Sequence, residues 1–188
     1  MITRSFARLA ILSAIAIAGA GAANADVFLK IPSLQGDAAQ RGFEGQIEIA
    51  GASMSVSSWS QPDPSGVADT VRTTTVGPIY ITKSPDRASP KLTSYAVEGM
   101  PLGRIEITFT DDVSNAVTSK WIIDGAEVRS ISVNPDPSNG NKPLESVEIA
   151  YASMTYQYFD GRGGTTPTAE ARFDVPVEQL FPFDGGCR

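Results

Sequence analysis

One stretch decides the fold of this chain: residues 79–92, with the sequence IYITKSPDRASPKL. Apolar and polar residues alternate over Ile79 to Thr82, which predicts a strand. A short helix follows, because Ser89 suits the N-cap, Pro90 suits the first helical position and Gly99 can end the helix. The apolar residues on one face of this helix are Leu92, Tyr95 and Ala96. A helix over about 89–98 is marginal alone in water, so we expect that face to pack on a sheet.

Strand-like alternation recurs along the rest of the chain. In Arg104 to Phe109, for example, the residues Ile105, Ile107 and Phe109 fall on one face. The other candidates are Val27 to Ile31, Glu44 to Ile49, Met54 to Trp59, Val117 to Ile123, Val128 to Val133 and Glu145 to Tyr151. About eight short strands separated by turn residues predict a mainly β fold, a sandwich or a barrel.

The first 25 residues have the pattern of a secretory signal peptide. Two arginines are followed by the apolar stretch Leu9 to Ala18, and the small residues Ala23 and Ala25 predict cleavage before Asp26. The apolar stretch is too short to span a membrane as a helix. We therefore expect the mature chain to be exported, to the periplasm or beyond the cell; a wrongly chosen start codon is the alternative.

Composition limits the partners of the mature chain. Removing 25 of 188 residues leaves 163, which is enough for one domain with a buried core. The predicted signal contains two of the 15 basic residues and none of the 21 acidic residues, so 13 basic residues face 21 acidic ones. The resulting net charge of -8, with no basic run, argues against nucleic acid and against an anionic membrane surface. We predict no membrane insertion of the mature chain.

Residue usage also removes several classes of chemistry. The chain has no His, which excludes Ser-His-Asp and Cys-His sites and leaves zinc only carboxylates and one Cys. The adjacent acids Asp111 and Asp112 lie among turn residues, so we expect a solvated turn. We predict no catalytic residues, no metal and no cofactor. Cys187 cannot form an internal disulfide; a free thiol is favoured over a disulfide-linked dimer or a capped thiol.

Two long polar stretches interrupt the strands. Residues 60–70 predict an exposed loop that extends into a hairpin arm around Val71 to Val76, either functional or a plain surface connection. Residues 134–145 match part of the spacing of a calcium loop, but Asn139 occupies the place that needs Gly, and three prolines constrain the backbone. A hairpin turn through Asn139 and Gly140 is the favoured interpretation.

The order of these pieces resembles the haemolysin-coregulated protein (Hcp) family. The resemblance rests on Val27 to Ile31 followed by Gly36, on residues 79–92, and on Glu145 to Tyr151 with the aromatic-polar ending Thr155 to Tyr158. It covers roughly residues 27–159. It implies a β-barrel of two packed antiparallel sheets flanked by the helix at about 89–98, assembled into hexameric rings that stack as the inner tube of a type VI secretion machine.

The resemblance also implies a division of the chain. Residues 26–159 would form the Hcp-like barrel, and residues 160–188 a C-terminal extension with a last strand at about 170–176 and a flexible tail. Residues 180–188 have no counterpart in the family pattern.

The function implied is structural: a tube component, or a secreted effector or carrier, that binds copies of itself. The further partners implied are spike, sheath or effector proteins. The contact residues for a neighbouring ring, assigned by position in the strand order, are Trp59, Gln61, Asp63, Ser65 and Val67. Trp59 is equally compatible with a place in the core.

One feature departs from the family, because typical members have no signal peptide and remain in the cytoplasm until secretion. The alternative function is therefore an exported β-sandwich binding module, for a glycan or an envelope protein. Its binding aromatics would be Trp59, Tyr80, Tyr156 and Tyr158 if they are exposed.

Overall fold

The computed structural model describes residues 26–67 and 70–176 of the chain. These residues contain eleven strands and one α-helix. The strands are β1 (Val27–Lys30), β2 (Ile47–Ile49), β3 (Gly51–Ser53), β4 (Val56–Pro62), β5 (Thr70–Val76), β6 (Ile79–Lys83), β7 (Pro101–Thr110), β8 (Val117–Asp136), β9 (Lys142–Ala150), β10 (Ser153–Tyr158) and β11 (Ala169–Asp174). The helix α1 is Ser89–Glu98. The mainly β fold class with one short helix is confirmed. The predicted signal peptide and Cys187 lie outside the described residues.

Nine of the eleven strands form one antiparallel sheet that curls into a barrel. Its order is β2-β1-β7-β8-β9-β6-β3. The strands at the two ends of this order, β2 and β3, follow each other in the chain and are separated only by Ala50. The Ala50 N–H donates to the Thr82 carbonyl of β6 at 2.7 Å. Strand β10 adds to the free side of β8, and β11 pairs with β10. Strands β4 and β5 pair with each other as a separate two-stranded sheet.

The core consists of the inward residues of these strands together with the predicted face of α1. Ile105, Ile107 and Ile149 are fully buried, and Leu92 and Tyr95 of α1 pack on the same cluster. Strand β1 departs from simple alternation because three successive residues are buried. Phe28, on its outer side, is covered by the ring of Phe43, with ring centroids 4.3 Å apart.

Several predicted strand boundaries are wrong, and two differences change the fold most. The candidates Val117 to Ile123 and Val128 to Val133 form one strand of 20 residues, β8, because its first half pairs with β7 and β10 and its second half with β9. Gly125, between the two predicted strands, continues β8 at a φ of 64°. Strand β2 begins only at Ile47, after a loop.

The start of α1 also differs from the prediction. Ala88 occupies the N-cap position without a side-chain cap, and Ser89 is the first helical residue. The Ser89 hydroxyl is not available for capping, because it bonds to Glu145 and Lys83 in the interior. The other end is as predicted: Gly99 has a φ of 62° and its N–H bonds to the Tyr95 carbonyl.

The two acidic loops behave as turns. Asp111 accepts hydrogen bonds from the backbone N–H groups of Ser114 and Val113, and these bonds lower the pKa of the Asp111 carboxyl. Residues 137–139 form a 3-10 turn between β8 and β9, which confirms the hairpin. Glu145, the last calcium position considered, lies against Lys83 instead.

Candidate functional site

The feature most suited to binding a partner is the hairpin of β4 and β5, here named the arm. Every residue of the arm's two strands is exposed except Val76. The register runs from Val56 opposite Val76 to Pro62 opposite Thr70. At its root the Gly77 N–H donates to the Ser55 carbonyl at 2.8 Å. The arm is thus a sheet of its own, exposed along both strands as far as Thr75.

The local sequence explains why the arm is a hairpin. Strand β5 is rich in Thr and Val, which favour extended backbone. At the tip the Asp63 carboxylate accepts from the Ser65 N–H at 2.8 Å and from its hydroxyl at 2.7 Å. Gly66 follows with a φ of 71°. The predicted loop is therefore shorter than expected, since both of its ends belong to strands.

The cross-strand register sorts the arm into two different faces. Trp59 lies opposite Thr73, and Gln61 lies opposite Val71, so these four side chains share one face. The other face is more polar and carries Ser58, Ser60, Arg72 and Thr74. Trp59 is 52% exposed, so of the two places that the sequence left open for it, the structure shows the exposed one and not the core.

The predicted contact residues thus fall into two groups. Trp59 and Gln61 share the first face, whereas Asp63, Ser65 and Val67 lie at the tip. Asp63 and Ser65 bond to each other, and Val67 is 88% exposed. Val71 was missed, although its alternation with Gln61 and Trp59 follows from the hairpin register.

The aromatics of the alternative function are exposed but do not form one surface. Tyr156 and Tyr158 share a face of β10, and Tyr156 contacts Trp121 with ring centroids 6.3 Å apart. Tyr80 belongs to β6 within the barrel. Trp59 lies on the separate sheet of the arm.

A buried charge cluster lies inside the stretch that decides the fold. The Lys83 ammonium, which is fully buried, donates to Glu145 and to Ser89 at 2.8 Å each and to the Ser84 carbonyl at 2.9 Å. It also pairs with Asp86 at 2.9 Å. Ser89 in turn donates to Glu145 at 2.8 Å. The cluster ties the end of β6 and the start of α1 to β9.

Sequence reasoning missed this cluster, although alternation contained a signal for it. Lys83 continues the inward series of Ile79 and Ile81, and Glu145 precedes Val147 on the inward face of β9. The two charged residues are direct register partners. Ser89 and Lys83 also resemble a nucleophile with its base, but burial leaves a substrate no access to either.

An exposed ion pair lies beside the buried cluster. The Arg87 guanidinium bonds to the Asp37 carboxylate, which also accepts from the Arg87 N–H at 3.2 Å. The guanidinium bond is the main reason that the pKa of Asp37 lies below its ordinary value. This pair joins the loop before α1 to the loop between β1 and β2.

Neither a metal site nor a membrane span is found in the described part of the chain. No group of three His, Cys, Asp or Glu side chains within residues 26–67 and 70–176 could hold a metal ion. No helix in those ranges has both the length and the apolar character that crossing a bilayer requires.

The strand order, the helix and the arm can now be compared with known proteins. Residues 28–158 match the family model described as "Type VI secretion system effector, Hcp". The chain belongs to the Hcp family. It is therefore a structural protein of type VI secretion, a tube or effector component. No curated protein matches the chain significantly by sequence.

Solved Hcp structures share the fold. Hcp1 from Salmonella typhimurium is 20% identical, with a TM-score of 0.64 over 80% of this chain and 95% of that chain. A type VI secretion system effector from Yersinia pestis is 17% identical, with a TM-score of 0.63 over 80% of this chain and 100% of that one. The secreted protein Hcp3 from Pseudomonas aeruginosa is 17% identical, with a TM-score of 0.58 over 81% and 99%.

Proposed function

We propose that this Hcp protein is a non-enzymatic subunit of hexameric rings, and that the arm of each subunit contacts a neighbouring ring. The observation that carries the proposal is the arm itself. A two-stranded hairpin is marginally stable alone in water, and both strands of this one are exposed except at Val76, which joins the core. A second ring would cover the face with Trp59 and Val71.

The contact that the arm offers explains how rings stack on one another. The arm and the barrel surface that receives it differ, so the contact is heterologous and repeats from copy to copy. A heterologous contact that does not close on itself repeats along an open stack, which suits a tube. Spike, sheath and effector proteins would be further partners of the assembled tube.

The mass and shape of the assembled protein in solution test this proposal. For the wild-type chain we expect hexamers by light scattering and rings by electron microscopy, with stacks at higher concentration. Trp59→Ala should reduce stacking, because the variant removes the largest apolar side chain of the arm, and should leave single rings intact. Val113→Ala removes an apolar side chain outside the arm that is even more exposed than Trp59, 84% against 52%, and is the control. A monomeric wild type, or stacking unchanged in Trp59→Ala, would contradict the proposal.

Export is a separate part of the proposal. The pattern of residues 1–25 supports cleavage between Ala25 and Asp26 and release to the periplasm or beyond. Cell fractionation with N-terminal sequencing tests it, and a cytoplasmic product that begins at Met1 would contradict it.

The second candidate is the exported binding module, favoured by one observation: Tyr156 and Tyr158 are exposed on the same face of β10. Aromatic pairs on a sheet face are suited to stacking on a sugar ring. A clean monomer that binds a sugar polymer, with binding lost in Tyr158→Ala, would favour this function over the ring.

A further inference from the structure

A small pocket lies where the arm joins the barrel. Its volume is about 90 Å³, and Val76 and Pro78 from the root of the arm form part of its lining. Ala150, Tyr151 and Val175 line it from the barrel side. Gly77, Arg129 and Glu148 complete the lining of this pocket, which we name the root pocket. A cavity of about 150 Å³ admits a benzene ring, so this smaller, open pocket suits an aliphatic side chain or part of an aromatic one.

The lining of the root pocket includes an unsatisfied polar group. Tyr151 is 2% exposed, and its hydroxyl has no hydrogen-bond partner among the described residues. Burial raises the pKa of Tyr151, so at neutral pH the hydroxyl keeps its proton and can donate. A buried donor without an acceptor is unfavourable. A peptide segment in the pocket would supply both apolar atoms and carbonyl acceptors.

The chain itself leads to this pocket. The Val175 N–H donates to the Ala152 carbonyl at 2.8 Å, which holds the backbone against the β9–β10 turn. Only Pro176 follows within the described residues, and the sequence then continues for 12 residues to Arg188. Any segment that starts here begins beside the root pocket.

The continuing sequence contains one apolar run, Leu180-Phe181-Pro182-Phe183, within polar surroundings. Exposing a leucine and two phenylalanines to water is unfavourable, so the run needs an apolar surface. Five extended residues span up to about 17 Å, which is ample for Leu180 to turn back on the pocket that Val175 lines. Two prolines, one on each side of the link, disfavour a helix that would carry the run away.

We propose that residues 180–183 dock over the root pocket of the same chain, with one apolar side chain of the run inside it. Because Val76 and Pro78 belong to the root of the arm, the docked segment wedges the arm against the barrel and sets its direction. The C-terminal segment is then a brace for the arm. The proposal is independent of ring formation, since it concerns a contact within one chain.

The single thiol of the chain makes a direct test possible. A spin label on Cys187, in the intact chain with isotope-labelled valine methyl groups, broadens the signals of methyl groups near the docked segment. We expect a large loss of intensity for Val76, which is remote from Cys187 in sequence. Val97 and Val113, both more than four-fifths exposed and outside the pocket, should keep their intensity. The triple variant Leu180→Ser, Phe181→Ser, Phe183→Ser should restore the Val76 signal.

Two further measurements keep the proposal falsifiable. The first mixes spin-labelled chains that carry no isotope with isotope-labelled Cys187→Ser chains that carry no spin label. If the segment docks within its own chain, the Val76 signal in this mixture stays unchanged. A loss of the Val76 signal would show docking between copies and overturn the proposal. A chain that stops after Pro176 should melt about 3–10 °C lower than the intact chain, through lost burial of apolar side chains. An unchanged Val76 signal in the spin-labelled intact chain, or an unchanged melting temperature of the shortened chain, also overturns the proposal.

Discussion

Replacing Lys83 with Met tests the buried charge cluster most directly. The ammonium is fully buried and lies 2.8 Å from the Glu145 carboxylate and 2.9 Å from that of Asp86. At an effective dielectric constant of about 20, a charge pair at 2.8 Å is attractive by about 6 kcal/mol before desolvation is subtracted. Removing one partner leaves buried carboxylates unpaired, which typically lowers the free energy of unfolding by about 3–5 kcal/mol.

That loss is a large part of the stability of a domain, which is about 5–15 kcal/mol in total. Urea unfolding followed by circular dichroism measures it, at a protein concentration where the oligomeric state of variant and wild type is the same. Met keeps the length of the side chain, so packing changes little. The double variant Lys83→Met, Glu145→Met should recover part of the loss, because it also removes the main unpaired carboxylate.

A second lysine provides the matched control. Lys120 pairs with Glu106 at 3.7 Å, and both side chains are close to a third exposed. Lys120→Met should therefore lower the free energy of unfolding by less than about 1 kcal/mol. If Lys83→Met costs no more than Lys120→Met, the buried cluster does not hold α1 to the barrel and the reasoning fails.

Three further predictions follow from the same loops. A Cβ atom on Gly36 would collide with the backbone of Gln46. Gly36→Ala should therefore lower the midpoint of urea unfolding by more than a typical substitution on the surface does, and an unchanged midpoint would refute the close approach. Ser89→Ala removes a buried hydroxyl that bonds to Glu145 and should cost about 1–3 kcal/mol, whereas Ser94→Ala on the exposed side of α1 should cost under about 0.5 kcal/mol in the same assay. Arg87 lowers the pKa of Asp37 below 3.8, so the stabilisation from this pair is present above pH 3.8 and is lost as the pH falls through the lower folded-state pKa. An NMR titration should show the Asp37 midpoint below 3.8 and its return toward that value in Arg87→Ala; equal midpoints would refute the role of the guanidinium.

The predictions from sequence were best where local chemistry decides. The end of α1 at Gly99, its buried face and the hairpin between β8 and β9 are all properties of a few neighbouring residues. The arm was predicted for the same reason, since prolines and Gly66 interrupt two runs of strand-forming residues. The Hcp family followed from the order of these pieces.

The predictions failed where distant residues compete for the same group. Ser89 is a good N-cap by local rules, but the interior offers it Glu145, a partner 56 residues away. Gly125 is typical of a turn, yet pairing on both sides keeps β8 continuous through it. Exposure of Trp59 was undecided for a similar reason, because alternation along one strand does not say whether another layer covers it.

By itself, the sequence determined which segments are strands and helix and which family they belong to, because alternation, capping and turn residues act over a few positions. Only the tertiary structure decided which face of each strand packs on the core and which face remains exposed to solvent. Lys83 and Glu145 occupy inward positions that appear unsuitable for charge until the register places them opposite each other. Trp59 and Val71 follow an equally regular pattern and remain exposed, because the arm leaves the barrel before any described element can cover them.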